Sequence, residues 1–220
     1  YAGALLAEQT QDWSVGLQRL ERIAPAQRTA AMTTLQHRLW VGQQVALATR
    51  LVRNGQQAKA LAVLHEADGI GLSVPALAAQ LSAGYAQAGD AARALWIVQR
   101  ALGREPGNAG LLLQYARLAS AAHDDARVAE AMRRLDAMQL SPAQRADFER
   151  LNLDIVVRRA DQVRDEGDLA GGYAVIAPWL AAMPDNPELQ GALARLYTSA
   201  GDPANALKCY RVALARRPDD

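Results

Sequence analysis

A break between two helical stretches returns along this chain at a nearly fixed interval, and it constrains the fold more than any other feature. Gly55, Gly89, His123, Gly167 and Gly201 occupy equivalent places, and three of the four steps between them are 34 residues. The fourth, from His123 to Gly167, is 44, so ten additional residues enter there. A period of this size belongs to solenoids, in which each unit is too small to bury its own apolar face and must stack on its neighbours. With 50% hydrophobic but only 5% aromatic residues, the alanine- and leucine-rich composition favours helix and leaves the packing to small and aliphatic side chains.

The copy from Pro75 to Asn108 carries Leu81 and Tyr85 on a first helix, Gly89 at the break, Ala94, Val98 and Ala101 on a second helix, and Pro106 after it. Spacings of three and four put each set on one helix face, so the two stripes meet, and the alanines set how close the helices come. Gly89 supplies the left-handed residue that ends the first helix, Asp90 caps the second, and Pro106 prevents its continuation. The copy from Pro187 to Asp220 repeats this with Leu193, Tyr197 and Gly201, then Ala206, Tyr210, Ala213 and Pro218. The pattern resembles the tetratricopeptide repeat. That resemblance implies an all-α chain, a right-handed superhelix (α-solenoid) interrupted here by two longer non-repeat helices.

The remaining copies are weaker. Val41 to Val74 has Leu72 where a proline is expected, and its second helix is expected to end at Asp68-Gly69. Ala109 to Pro142 has His123 in place of glycine, which predicts a distorted turn. In Leu153 to Asn186, Gly171-Gly172 and Pro178 fall inside the second helix and predict a kink or a break near Pro178. The expected organisation is a partial repeat over 1–24, a non-repeat helical extension over 25–40, three repeats over 41–142 with the third degenerate, a helical insertion over 143–152 and two repeats over 153–220, forming one continuous solenoid. The first residues, YAGALLAEQ, lack the basic region and cleavage pattern of a signal peptide and read as the interior of a helix.

A second duplication cuts across the first. Pro25-Ala26-Gln27-Arg28 and Pro142-Ala143-Gln144-Arg145 are the same tetrapeptide 117 residues apart, each followed by an uninterrupted helical run, to Asn54 and Glu166. Met32, Leu35 and Leu39 in one run, and Phe148, Leu151 and Ile155 in the other, keep a three-four stripe along the added turns. Repeats of this type joined to PAQR segments and long helices resemble the family of the C component of bacterial cellulose synthase, most clearly over Ser141 to Asp202. The resemblance implies a periplasmic, non-catalytic scaffold of a cellulose synthesis and export machine, its parent chain carrying an outer-membrane barrel. The implied partners are proteins of the synthase complex and the glucan chain. The alternative is an adaptor that binds a peptide or protein partner in an unrelated secretion or chaperone assembly.

Other classes lack their residues. Charge is balanced, 24 basic against 23 acidic residues, which argues against a nucleic-acid stripe. The three histidines, His37, His65 and His123, have no metal-ligand spacing, and the single Cys209 excludes an internal disulfide and has no His or Asn motif beside it. No catalytic residue, metal or cofactor is expected. Asp124-Asp125, Asp185 and Asp219-Asp220 read as turn and cap residues, and Arg133-Arg134, Arg158-Arg159 and Arg216-Arg217 as helix-end or exposed pairs. Trp13, Trp40, Trp96 and Trp179 lie in helical stripes, where packing is the expected role over stacking on a sugar. Repeat geometry places a recognition groove on the stacked first helices, whose outward positions are Arg53, Gln87, Arg117, Arg164 and Arg195. Glucan, peptide, or no ligand at all remain open for that groove.

Overall fold

The computed structural model describes residues 1–216. The helix stop expected at Pro218, and Arg217, Asp219 and Asp220, lie outside the described residues. Among the described residues there are twelve α-helices and one short 3-10 turn, with no strand. They form two compact units, Tyr1–Leu140 and the segment from Ser141 onward.

The first unit contains α1 (Ala2–Gln9), α2 (Trp13–Glu21), the 3-10 turn (Pro25–Gln27), α3 (Ala30–Arg53), α4 (Gln57–Gly71), α5 (Pro75–Gln87), α6 (Ala91–Arg104), α7 (Ala109–Ala121) and α8 (Asp125–Asp136). Its main core joins Leu64, Leu81, Tyr85, Ile97, Val98 and Leu111, all at most 1% exposed. The added turns of α3 close a smaller core against α1 and α2, where Leu20, Leu35 and Leu39 are fully buried. The second unit contains α9 (Pro142–Asp165), α10 (Leu169–Ala182), α11 (Pro187–Ser199) and α12 (Pro203–Arg216). It packs around Ile176, Leu189, Ala192 and Leu196. Gly172 is what lets α10 approach α9: a Cβ there would lie 3.1 Å from the Ala160 carbonyl and 2.9 Å from a Leu196 methyl.

The turns are uniform. Six described residues have positive φ: Gln11, Gly55, Gly89, His123, Gly167 and Gly201. At Gly89 its N–H donates to the Ala86 carbonyl (3.1 Å) and the Asp90 N–H to the Tyr85 carbonyl (2.9 Å). At His123 the same bonds run to Ser120 (3.1 Å) and Ala119 (2.9 Å), and at Gln11 to Glu8 (3.2 Å) and, from Asp12, to Ala7 (2.8 Å). The distorted turn expected at His123 is therefore absent. His123 adopts φ +55° and forms the turn that glycine forms elsewhere, because the surrounding helices fix the geometry and the side chain bears a left-handed strain of roughly 1–2 kcal/mol. His123→Gly is expected to stabilise the first unit by about 1 kcal/mol after the added chain entropy of glycine is subtracted, seen as a raised denaturation midpoint.

These six residues also disclose a longer period. Gln11, Gly55 and Gly89 recur as His123, Gly167 and Gly201, each 112 residues later. Helix bounds follow: Ala30–Arg53 becomes Pro142–Asp165, and Ala91–Arg104 becomes Pro203–Arg216. The two PAQR segments, 117 residues apart, are thus five residues out of register, and identical tetrapeptides take different structures. After Ala24, which cannot cap, the first makes the 3-10 turn, and α3 begins only at the cap Thr29, whose hydroxyl accepts from the Met32 N–H. After Ser141 the second forms the first turn of α9, closed by a reciprocal capping box between Ser141 and Gln144.

Two expected breaks also differ. Helix α4 continues past Asp68-Gly69 to Gly71, since Gly69 is not among the glycines of positive φ and so does not make the left-handed turn that would end the helix there. Helix α10 runs unbroken through Pro178. Pro178 and Ala174, whose carbonyl loses its donor there, are both solvent-accessible, so water can satisfy the freed group.

Candidate binding site

Along one flank of α3, Gln36, Trp40, Gln43, Leu47 and Arg50 succeed each other at steps of three and four, which keeps them on one face. Facing them, α2 offers Ser14, Leu17 and Glu21 at the same spacing. Two cavities lie along this seam, of about 770 Å³ beside Trp13 and about 370 Å³ beside Trp40, and both are lined by Gln43. Each tryptophan is half-buried, anchored on the core along one side. Trp13 lies flat on α3 because position 42 is glycine: a Cβ there would come within 2.7 Å of its six-membered ring. The larger cavity opens at Gln11, whose left-handed backbone ends α1.

The predicted groove residues divide between the two units. Arg53 lines the larger cavity. Gln87, on α5, borders it by accepting a 2.8 Å hydrogen bond from the hydroxyl of Thr49, a lining residue. Arg117 is exposed on α7. In the second unit Arg195 of α11 grips Asp161 of α9 with Nε and Nη2, at 2.9 and 2.7 Å. Arg164 reaches the same carboxylate through Nη1 and Asp165 through Nη2. Asp161 thus holds two of the five predicted side chains. The hydrogen bonds that Arg195 donates to Asp161 raise its pKa, outweighing the lowering by burial, and so favour the charged guanidinium. Sequence reasoning did not find Trp13, Gln43 or Thr49 as lining residues. The three-four run of Gln36, Trp40, Gln43 and Leu47 was the available signal.

The repeat-defining residues are placed unequally. Leu81, Tyr85 and Ala94 are fully buried, and Ala101 and Ala206 nearly so, whereas Leu193, Tyr197 and Ala213 are half-buried and Tyr210 is 39% exposed. Tyr85 also serves a polar role. Its hydroxyl donates to Asp68 Oδ1 at 2.9 Å, while Arg93 Nη2 donates to Oδ2 and the His65 ring meets Tyr85 edge-on at 5.5 Å. Burial, then the Asp68 hydrogen bond, push the Tyr85 phenol above its ordinary range. Trp96 departs from the packing expected of it. It is 40% exposed and stands between Arg93 and Arg100, whose guanidinium carbons lie 4.4 and 5.3 Å from the ring, so cation–π contacts hold it on the surface.

Asp90 and Asp124 cap as expected, each accepting the backbone N–H three residues ahead, and Asp168 and Asp202, which the sequence reading did not single out, do the same. Asp185 instead pairs with Arg216 at 2.9 Å. Groups of three or more metal-ligating side chains are absent among the described residues. Burial pushes the Cys209 thiol up, so it is a poor nucleophile at neutral pH. We expect thiol reagents to modify Cys209 at a rate set by local opening, rising by orders of magnitude in denaturant; ready labelling of the folded chain would contradict this placement.

The stacked helix pairs, left-handed turns and small-residue contacts define a protein of the tetratricopeptide class. The Tetratricopeptide repeat family matches residues 163–220, and the solved repeat structure of a putative kinesin light chain from Podosopora anserina superposes with a TM-score of 0.52 at 18% identity, over 81% of this chain and 96% of that one. The particular kinship is with cellulose synthase operon protein C, to a segment of which this chain is homologous. It is 37% identical to that protein of Xanthomonas axonopodis pv. citri over 96% of the chain, and 29% identical to that of Pseudomonas fluorescens over 100%. It spans 14% and 17% of those relatives' lengths.

Proposed function

We propose that the chain is a non-catalytic helical scaffold within a cellulose synthesis and export machine, held in the periplasm as part of a larger protein anchored in the outer membrane. It positions the synthase complex relative to the pore and thereby serves biofilm formation. The observation that carries this reading is identity of 37% to cellulose synthase operon protein C across nearly the whole chain. The repeat partition set out above, with a helical extension over 25–40 before the first block of repeats and an insertion over 143–152 between the two blocks, belongs to the same reading. The site chemistry is compatible: Asp68, Asp161 and the turn carboxylates are committed to hydrogen bonds and ion pairs within the fold, as in a structural element. A solenoid of this kind works by position, offering rigid stacked surfaces to protein partners.

The test is fractionation of the source cells with an antibody to this chain. Detection in the envelope, in a large protein whose gel mobility changes on heating and which cross-links to the glucan synthase, is the expected result. A freely soluble cytoplasmic protein of modest size would overturn the proposal.

A further inference from the structure

We propose that the furrow between α2 and α3 binds an uncharged, polyhydroxylated chain, a glucan strand in extended form. The inference rests on the cellulose-associated reading and adds to it a site. Four observations carry it. The furrow follows α3 from Gln36 to Arg53, which at 1.5 Å per residue is about 26 Å, the dimensions of a polymer track and not of a small-molecule pocket. Its walls carry the amides of Gln36, Gln43 and Gln44 and the hydroxyls of Ser14 and Thr49. Amides and hydroxyls both donate and accept, as the hydroxyls of a sugar do, with the Thr49 hydroxyl, which donates to Gln87, left to accept.

The third observation is charge. Arg50 and Arg53 are matched by Asp12 and Glu21 along the same walls, so the furrow offers no net attraction for a polyanion or an acidic peptide. The two tryptophans supply flat apolar faces between the polar groups, the mixture by which a site orients a ligand that is apolar on its ring faces and polar on its edges.

The fourth is the comparison of α3 with its own counterpart 112 residues later. Leu39 and Ala48 recur as Leu151 and Ala160, and all four are buried core residues. The furrow residues do not recur: Trp40, Gln43 and Gln44 are replaced by Asn152, Ile155 and Val156, and Trp13 of α2 by Asp125. A long helix in this register is built without them. The polar and aromatic flank of α3 is an addition to the scaffold, not a requirement of it.

Titration of the 220-residue chain with cellohexaose, followed by calorimetry and tryptophan fluorescence, tests the proposal. Saturable binding with a change in emission is expected. Gln43→Ala, which touches both cavities, is expected to weaken it about tenfold. Trp40→Ala is expected to do at least the same, with Trp40→Phe recovering part if the truncated variant fails to fold. Trp96→Ala, on α6 and outside the furrow, is expected to leave binding unchanged. Absence of saturable binding, or binding that Gln43→Ala and Trp40→Phe leave untouched, would overturn the inference. So would binding of an unstructured neutral peptide, lost with Gln43→Ala, in place of cellohexaose. If cellohexaose fails to bind while in-frame deletion of this segment from its parent still abolishes cellulose production, the scaffold reading stands and the furrow proposal falls.

Discussion

Asp68→Ala is expected to lower the stability of the first unit by about 3 kcal/mol, a loss on the order of 10 °C in melting temperature for a unit of this size. The reason is geometric. One carboxylate satisfies both the hydroxyl of Tyr85, itself 0% exposed, and the guanidinium of Arg93. Removing it leaves a buried phenol without its acceptor and a part-buried cation without its counter-charge, which costs far more than the pair contributes. Tyr85→Phe removes a single hydrogen bond and leaves Arg93 and Asp68 together, so it is expected to cost about 1 kcal/mol. Equal losses from the two substitutions in thermal or urea denaturation would show that Asp68 is not the shared partner.

The same network sets a pH dependence. The Tyr85 phenol titrates higher in the folded chain than its ordinary 10.0, through burial and the bond to Asp68. The unfolded chain therefore releases this proton first as pH rises, and folding stability is retained below about pH 10 and lost progressively above it. Tyr85→Phe is expected to flatten that alkaline limb while lowering stability at neutral pH.

Much of this was legible in the sequence because glycine marks a turn that few other residues take. Gly55, Gly89, Gly167 and Gly201 announced their turns. Gln11 did not, since nothing in a glutamine signals left-handed backbone, and without it the 112-residue period was hidden. The matching PAQR segments pointed to the duplication but five residues away from its true register, because local identity is decided by four side chains and register by helix packing over roughly a hundred residues. Trp96 misled for a related reason. Helical spacing places a side chain on a face, but whether a neighbouring helix or two arginines cover that face is settled by the third dimension. The furrow escaped because its chemistry is divided between α2 and α3: the three-four run on α3 was visible in the sequence, but which residues of α2 face it was not.

Arg164 and Arg195 illustrate how that division governs binding. Counted along the first helices, they line a cationic groove; folded, both turn to Asp161, which receives three guanidinium N–H bonds. Asp161→Ala is therefore expected to act twice. Arg195 loses a bidentate partner and the α9–α11 tie with it, at a cost of about 2 kcal/mol in the second unit, moderated because Arg195 is 38% exposed and rehydrates in part. At the same time two guanidinium groups shed a shared counter-charge, and affinity for an acidic probe such as polyglutamate is expected to rise about tenfold at low salt and to vanish near 1 M salt. Arg164 keeps Asp165, so the gain comes chiefly from Arg195, and adding Arg195→Gln to Asp161→Ala is expected to abolish it without restoring stability. A variant that loses stability but gains no anion affinity would mean that Arg195 turns back onto the fold. In the unmodified second unit, then, one carboxylate of the fold occupies two of the cations that an acidic partner would need.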